Sequence, residues 1–449
     1  MNGGTFTPGE EKQRAGIYFR FTSAANDRLA VGERGIVALP LVLNWGAPKQ
    51  FIEVTKTEDV EKKLGLDIND PSLLLLREAK KKAKTVLAYR VNEGTKATKE
   101  VATGVTATAV YGGTKGNDIT IKVAPNVVDE TKKDVTTFMG TKAIDKQTVA
   151  NGSELKANAW VTFQGAGELT DSAGIKLVGG ADGTPTNLDY TDFFSAAETE
   201  YFDTIALPVD GEEAAQLKTS FISFIRRVRD NQGVKVQGVL ANAPADFEGI
   251  INVTNGAVLP DKTLTPAETV AWVAGAEAGA TIYQSLTFME YEGAIDVFPR
   301  YDNDEVIERL AKGEFMLTFD ARDKTVTVES DINSFVSFTK EKDKKFRKNK
   351  IVRILDAINN DLTREIKREI KIRKEKGQDI PVNGDGVQII STLVTIYMNA
   401  LQEGGAITNF NSQNDIQIAI NADGDGFYIN TGVQPVDSAE KFYFGMEVR

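Results

Sequence analysis

Residues 202–210 read FDTIALPVD, residues 212–231 read EEAAQLKTSFISFIRRVRDN, and residues 234–240 read VKVQGVL. The first and third stretches are short apolar runs, which is typical of strands buried on both faces of a parallel sheet. The middle stretch repeats apolar residues at helical spacing and places five of them on one side: Leu217, Phe221, Phe224, Ile225 and Val228. The order strand, helix, strand predicts a unit of parallel α/β structure.

The same texture occurs before and after a segment of different composition. Residues 35–94 predict a strand, two helices and another strand, and residues 250–253 and 266–280 predict a strand and a helix capped by Thr265. Between them, residues 95–187 are rich in Thr, Val, Gly and Asn, with short strand-like runs separated by turns. We therefore predict an all-β domain inserted into a loop of an α/β core.

The remainder of the chain predicts a second mixed region and two isolated strands. Residues 351–376 and 387–402 carry apolar stripes at helical spacing, and strands are expected at 416–420 and 427–433. Near the two ends of the chain, apolar residues alternate with others in the period of a strand: Ile17, Phe19 and Phe21, then Phe442, Phe444, Met446 and Val448. An isolated strand is unstable in water, so each segment is expected to add to a sheet elsewhere.

The predicted fold class is multidomain α/β and α+β: an α/β core with an inserted all-β domain, a C-terminal α+β domain, and extended strand arms at both ends. The expected boundaries are 1–34 for the N-terminal arm and linker, 35–94 and 188–330 for the core, 95–187 for the inserted domain, 331–434 for the C-terminal domain and 435–449 for the C-terminal arm.

The composition removes several classes of function. The 449 residues include no Cys and no His, which excludes Ser-His-Asp triads, thiolate nucleophiles and the usual zinc ligands. The net charge of −11 argues against a nucleic-acid-binding polymer. The first ten residues do not resemble a signal peptide, and there is no run of about 18 apolar residues. We expect no membrane insertion, no metal and no cofactor.

Three glycine-rich motifs and the carboxylates are candidate chemical sites. Residues 423–426 (DGDG) resemble part of a calcium loop, but the twelfth position is Gln434, so a hairpin turn is favoured over a weak cation site. Residues 383–386 (NGDG) are interpreted as a loop before a helix. Residues 112–117 (GGTKGN) lack the order of a phosphate-binding loop and are interpreted as a turn. The carboxylates are too numerous for any two to be singled out as a glycosidase pair.

The segment from Lys340 to Lys376 is basic in an acidic chain, with 15 Lys or Arg against 7 Asp or Glu. On a helical wheel, Arg353, Arg364 and Lys371 lie opposite the apolar stripe. The face is either a solvated surface or a contact surface for an acidic polymer, which would be nucleic acid or an acidic protein.

Nine stretches, in order along nearly the whole chain, carry a resemblance to a known family. They are RAGIY (14–18), GNDI (116–119), FDTIALP (202–208), GIINVTNG (249–256), AWVAG (271–275), YEGA (291–294), DIN (331–333), RILD (353–356) and VQPVDS (433–438). They resemble the tail sheath proteins of contractile-tailed phages, especially of phages and prophage-derived particles of Gram-positive bacteria.

The resemblance implies a structural subunit and not an enzyme. Such a protein forms stacked six-subunit rings around a tail tube and contracts to drive the tube through a target envelope, without nucleotide. It implies an inserted domain that faces outward, a C-terminal domain that faces the tube, and chain ends that pair with neighbouring subunits. The expected tube-contact residues are Arg353, Arg364, Lys367 and Lys371.

The resemblance also implies partners and a location. The expected partners are further copies of the chain, the tail tube protein, and the baseplate and tail terminator proteins, with no nucleic acid. The expected location is the tail sheath of a virion or phage-tail-like particle, assembled in the host bacterial cytoplasm. The alternative is a monomeric surface or cell-wall-binding protein with carbohydrate activity, which would not form tubes in electron micrographs.

Overall fold

The computed structural model describes residues 31–449 and, among the first thirty residues, only the backbone of Gly3, Gly4, Ile17 and Tyr18. The strands are β1 Gly3–Gly4, β2 Ile17–Tyr18, β3 Ile36–Leu41, β4 Phe51–Val54, β5 Thr85–Arg90, β6 Lys96–Ala102, β7 Val105–Gly112, β8 Ile119–Pro125, β9 Lys133–Met139, β10 Lys142–Val149, β11 Val161–Gly165, β12 Ser172–Lys176, β13 Thr204–Leu207, β14 Gln237–Ala241, β15 Ile250–Val253, β16 Gly256–Val258, β17 Asp296–Phe298, β18 Glu314–Phe315, β19 Leu317–Asp320, β20 Thr325–Val328, β21 Ile416–Ile420 and β22 Phe427–Thr431.

The helices are α1 Thr57–Asp59, α2 Leu74–Lys80, α3 Asn187–Ala197, α4 Ala215–Arg226, α5 Pro266–Gly279, α6 Asn303–Ala311, α7 Asn349–Glu375, α8 Gly384–Glu403 and α9 Ser412–Asp415. Short 3₁₀ or π turns extend or join them at Val60–Leu64, Pro71–Leu73, Thr114–Asp118, Gly152–Glu154, Glu212–Ala214, Arg227–Asn231 and Lys344–Arg347.

The centre of the molecule is a seven-stranded sheet in the order β18-β15-β14-β13-β3-β5-β4. Every neighbouring pair is parallel except β4 and β5, which are antiparallel. Strand β3 lies between β5, which precedes the inserted region, and β13, which follows it. Because strands from both sides of the inserted region share one sheet, the predicted insertion into an α/β core is confirmed.

The two faces of this sheet are covered by different helices. Successive residues of β13 point to opposite faces: Ile205 and Leu207 pack with α3 and α4, whereas Ala206 packs on the side of α2 and α5. All five apolar residues predicted for the inner side of α4 and its π-helical extension are buried. Helix α5 begins with the predicted cap, since the Thr265 hydroxyl accepts the N–H of Glu268 at 3.2 Å.

The inserted domain is a β-sandwich of two sheets, β10-β9-β8-β12 and β11-β7-β6. Its hydrophobic core continues into that of the α/β core, because Trp45 stacks on Trp160 with the ring centroids 5.1 Å apart. At the connection, Arg90 is buried and donates to the carbonyl of Gly112 at 2.8 Å. Asn92 donates to the carbonyl of Asp182 at 2.6 Å, so the entering and leaving chains are tied together.

The C-terminal domain consists of α7, α8 and the hairpin β21–β22. Ile354 on α7 packs with Val394 and Tyr397 on α8, and partly buried residues of β21 and β22 complete this cluster. The turn between β21 and β22 contains the DGDG motif, where Gly424 adopts a φ of 68° that favours glycine. The predicted hairpin turn is therefore confirmed. Asn383 caps α8 by accepting the N–H of Asp385 at 2.9 Å, as expected for a loop before a helix.

Several elements were not predicted, among them α3, β4, α6 and the strands β16 to β20. Helix α3 follows the inserted domain, and its first turn carries a capping box between Thr186 and Asp189, which is a signal present in the sequence. Strand β4 is a short antiparallel edge strand after Trp45. The strand expected around residues 442–448 does not form within this chain, since residues 441–449 have no regular secondary structure.

Candidate assembly surfaces

The first two turns of α7 are enclosed on all sides. Six consecutive residues, from Asn349 to Ile354, are buried, although the helical periodicity predicted an exposed side. Arg353 has a side-chain exposure of 0% and forms ion pairs with Glu277 of α5 and, at 2.9 Å, with Asp331. The prediction that Arg353 belongs to an exposed basic face is therefore wrong, because the α/β core covers the polar side of the helix at this level.

Glu277, Asp331, Asn349 and Arg353, which we call the buried junction, join the core to the C-terminal domain. Asn349 donates to Glu277 at 3.1 Å and to Asp331 at 2.9 Å. Burial raises the pKa of Glu277 well above its usual 4.5, against the opposing charge of Arg353. Burial also opposes ionisation of Asp331. The charge of Arg353 and the hydrogen bonds to the Asp331 carboxylate nevertheless lower the pKa of Asp331. Of the two carboxyls, Glu277 is therefore the one whose protonated form burial favours.

The C-terminal half of α7 carries the other predicted basic residues at its surface. Arg364, Lys367 and Lys371 are exposed and lie three or four residues apart, on one side of the helix. Arg364 is partly neutralised, because it pairs with Asp361 at 3.0 Å and with Glu365 at 3.4 Å. The predicted basic face therefore extends over this half of the helix alone.

The C-terminal segment is fastened as far as Glu440 and exposed beyond it. The Glu440 carboxylate forms an ion pair with Lys348 and accepts a hydrogen bond from the Thr287 hydroxyl at 2.8 Å. The apolar residues that follow expose between 69% and 96% of their surface: Phe442, Phe444, Met446 and Val448. The predicted arm residues are thus exposed in the isolated chain, and no strand pairs with them among the described residues.

The N-terminal arm is described in part. Ile17 lies in β2, whose backbone pairs in parallel with β1. Phe19 and Phe21 lie outside the described residues. The linker that follows is attached to the C-terminal domain, because the Gly32 N–H donates to the Asp361 carboxylate at 2.8 Å. The described linker therefore lies beside α7 at Gly32.

The attachments of Glu440 and Gly32 were not predicted. Glu440 lies 92 residues from Lys348 and 153 from Thr287 in the sequence, and Asp361 lies 329 residues from Gly32. No local pattern marks such pairs, since each partner is an ordinary polar residue in its own segment.

A cleft lies at the carboxyl ends of β13 and β14, where α/β enzymes bind their ligands. Asp210 faces it, but its carboxylate accepts from Lys218 at 2.7 Å and from Asn242 at 2.7 Å. The bond to Asn242 joins the loop after β13 to the loop after β14. In the part of the chain that the structure describes, no group of three acidic residues is arranged to hold a metal ion, and no helix is long and apolar enough to cross a membrane.

Four family models of sheath domains match consecutive parts of the chain. They are described as "Tail sheath protein Gp18 domain III N-terminal region" (residues 34–91), "Phage tail sheath protein beta-sandwich domain" (92–182), "Phage tail sheath protein central domain" (183–334) and "Phage tail sheath C-terminal domain" (341–449). The sheath tail protein Lin1278 of Listeria innocua is 57% identical, with a TM-score of 0.82 over 93% of this chain and 95% of that one. The chain belongs to the phage tail sheath protein family.

This sheath protein has further relatives in Gram-positive bacteria. It is 59% identical to the phage-like element PBSX protein XkdK of Bacillus subtilis over the full length of both chains. The sheath tail protein of Desulfitobacterium hafniense is 45% identical, with a TM-score of 0.83 over 96% of this chain and 99% of that one. The family resemblance drawn from the sequence is thereby confirmed. Its members are structural proteins and not enzymes.

The fold also extends to a distant contractile system. The helical sheath of the anti-feeding prophage, in its contracted state, matches with a TM-score of 0.55 over 97% of this chain at 11% identity. The two chains therefore share a fold. As a phage tail sheath protein, the chain is a structural component of phage or phage-like particles.

Proposed function

We propose that this sheath protein polymerises as helically stacked six-subunit rings around a tail tube and contracts to drive the tube through the envelope of a target cell. The tube protein, the baseplate and the tail terminator are its partners in this proposal. Assembly takes place in the cytoplasm of the bacterial host, without a cofactor. The energy comes from a metastable extended lattice, which a kinetic barrier holds until it is triggered.

The single observation that carries the proposal is the exposed C-terminal segment. The chain buries extensive cores elsewhere, yet Phe442 and Phe444 remain 69% and 82% exposed, and they are spaced two residues apart, as residues on one face of a strand would be. A neighbouring sheet edge would satisfy the backbone and accept alternate side chains. Burying each Phe would contribute about 1.5–3 kcal/mol. Strand donation from subunit to subunit is a heterologous contact, which propagates into helical polymers.

The test compares two variants that add the same charge to opposite faces of this segment. Phe442→Asp with Phe444→Asp places two carboxylates on the predicted buried face. Tyr443→Asp with Gly445→Asp places two on the alternate face and serves as the control. We expect the first variant to remain a folded monomer in size-exclusion chromatography and the control to form tubes in electron micrographs. We call this donation of the C-terminal segment to a neighbouring subunit arm exchange. Tubes formed equally by both variants would contradict it.

We also propose that the C-terminal half of α7 meets an acidic tube exterior. Exposed ion pairs between the sheath and the tube would contribute only about 0–1 kcal/mol each. Such contacts orient assembly and still separate on contraction. Reversal of charge at Arg364, Lys367 and Lys371 should reduce assembly on purified tubes at low salt. The matched control reverses Lys96, Lys99 and Lys122 on the β-sandwich, which are also exposed.

The orientation of the domains follows from the same proposal: the β-sandwich faces outward and α7 faces the tube. The chain contains no Cys, so single cysteines report accessibility without background. Val128 is 95% exposed at the tip of the β8–β9 hairpin. In intact particles, a thiol reagent should label Val128→Cys and spare Lys371→Cys, whereas both should react in the monomer. Labelling of Lys371→Cys at the monomer rate would exclude this orientation.

A further inference from the structure

The C-terminal segment changes from fastened to exposed at one residue. Upstream, the Val436 N–H donates to the carbonyl of Ala406 at 2.9 Å, and Lys350 donates to the Ser438 hydroxyl at 3.0 Å. Glu440 is the last fastened residue, with a side-chain exposure of 14%. Tyr443, three residues later, is 90% exposed. The length of the free arm is therefore determined by the attachment of Glu440.

The site that receives Glu440, which we call the seat, consists of Ser285, Thr287 and Lys348. The Thr287 oxygen accepts the N–H of Asp331 at 3.0 Å, which leaves its single hydroxyl proton to be donated to Glu440. Lys348 pairs with one oxygen of the Glu440 carboxylate and supplies the countercharge. Ser285 lies 3.5 Å from the other oxygen, which is the one that accepts the hydrogen bond of Thr287. Because Asp331 belongs to the buried junction, the seat is attached to the buried polar contact between the core and the C-terminal domain.

The seat limits how far the arm extends. Residues 441–449 are nine residues, which span at most about 30 Å when fully extended. Without the seat, the last fastened residue is Ser438, which Lys350 holds, and the free segment of 11 residues spans about 36 Å. The longer free segment lowers the effective concentration of its end by about 1.4-fold, from the −3/2 power dependence on length, and the segment also loses its fixed direction.

We propose that Glu440 is a positioning residue that sets the reach and direction of the C-terminal arm, so that the arm pairs with one neighbouring copy in one register. This inference rests on the proposed arm exchange. The seat holds the carboxylate in the monomer and keeps it in the polymer. It is a fixed point of departure for the arm and not a latch that opens before assembly.

The first test measures the critical concentration for tube formation. Glu440→Ala should raise it by about 1.4-fold or more, because the arm is longer and loses its fixed direction, whereas Glu447→Ala, which removes the same charge beyond the seat, should leave it unchanged. Thermal denaturation of the monomers checks that both variants are folded. Assembly of folded Glu440→Ala at the wild-type concentration overturns the proposal.

The second test separates a fixed point of departure from a latch. In this Cys-free chain, Thr287→Cys with Glu440→Cys can be joined by a short thiol-specific bifunctional reagent. The unlinked variant should assemble as poorly as Glu440→Ala, and linking should restore assembly. If the linked chain fails to assemble, the contact must open and the proposal is wrong.

The variant Phe442→Asp with Phe444→Asp distinguishes failure of this inference from failure of arm exchange. If it abolishes tubes while Glu440→Ala does not affect them, arm exchange holds and the role of the seat is overturned. If it also assembles normally, the proposed function itself is contradicted.

Discussion

Replacing Arg353 with Met tests whether this residue stabilises the fold or binds the tube. The substitution keeps the aliphatic stem and removes the guanidinium from a site of 0% exposure. Burial favours the protonated form of Glu277, so the loss leaves mainly the Asp331 charge without its ion partner. Removing one partner of a buried ion pair costs about 3–5 kcal/mol. Asn349 and the Leu286 N–H still donate to Asp331, which favours the lower end of this range.

The matched control is Lys371→Met, which makes the same type of change at an exposed position of the same helix. We expect its unfolding free energy to stay within about 0.5 kcal/mol of the parent, as for most surface substitutions. Both variants are made in a background with Trp45 and Trp160 replaced by Phe. The fluorescence of Trp272, which is fully buried in α5, then reports urea denaturation near the junction.

The two interpretations of Arg353 predict opposite results for Arg353→Met. If Arg353 stabilises the buried junction, the variant has a lower unfolding free energy, and any assembly defect follows from that loss. If Arg353 contacts the tube, the variant keeps the unfolding free energy of the parent and assembles poorly on tubes. If Arg353→Met unfolds within about 1 kcal/mol of Lys371→Met, the structural role is refuted.

Three further predictions concern helix α5. Because burial raises the pKa of Glu277, the folded state takes up a proton; stability should fall as the pH rises above 4.5 and through the raised pKa, and Glu277→Gln should remove this dependence in denaturation curves measured across pH. Gly275→Val should destabilise by about 1–3 kcal/mol or more, because its Cβ would lie 2.2 Å from the Ala79 carbonyl oxygen, and a wild-type melting temperature would contradict this contact. Thr265→Ala should cost about 0.5–2 kcal/mol through loss of the N-cap, whereas Thr265→Gly should cost only a few tenths, so equal losses would exclude capping as the cause.

Local patterns in the sequence were sufficient for much of the architecture. The short apolar runs at 204–207 and 250–253 were recognised as strands because a parallel sheet buries both of their faces. The stripe on α4 was recognised because one side of that helix packs on the sheet. The inserted domain was evident from a change of composition. In each case, burial acts on neighbouring residues of one segment, so it leaves a period that a single sequence displays.

The sequence by itself determined the family, the α/β core with its inserted β domain, and the apolar alternation of the C-terminal arm. Only the tertiary structure decided which polar residues are available at the surface. Arg353 and Lys371 occupy similar positions on a helical wheel, yet the first is buried against Glu277, 76 residues away, and the second is exposed. Glu440 likewise depends on Lys348 and Thr287 for its attachment. Helical periodicity reports which side of a helix packs on its own domain, but what covers the opposite side is contributed by distant segments that leave no local pattern.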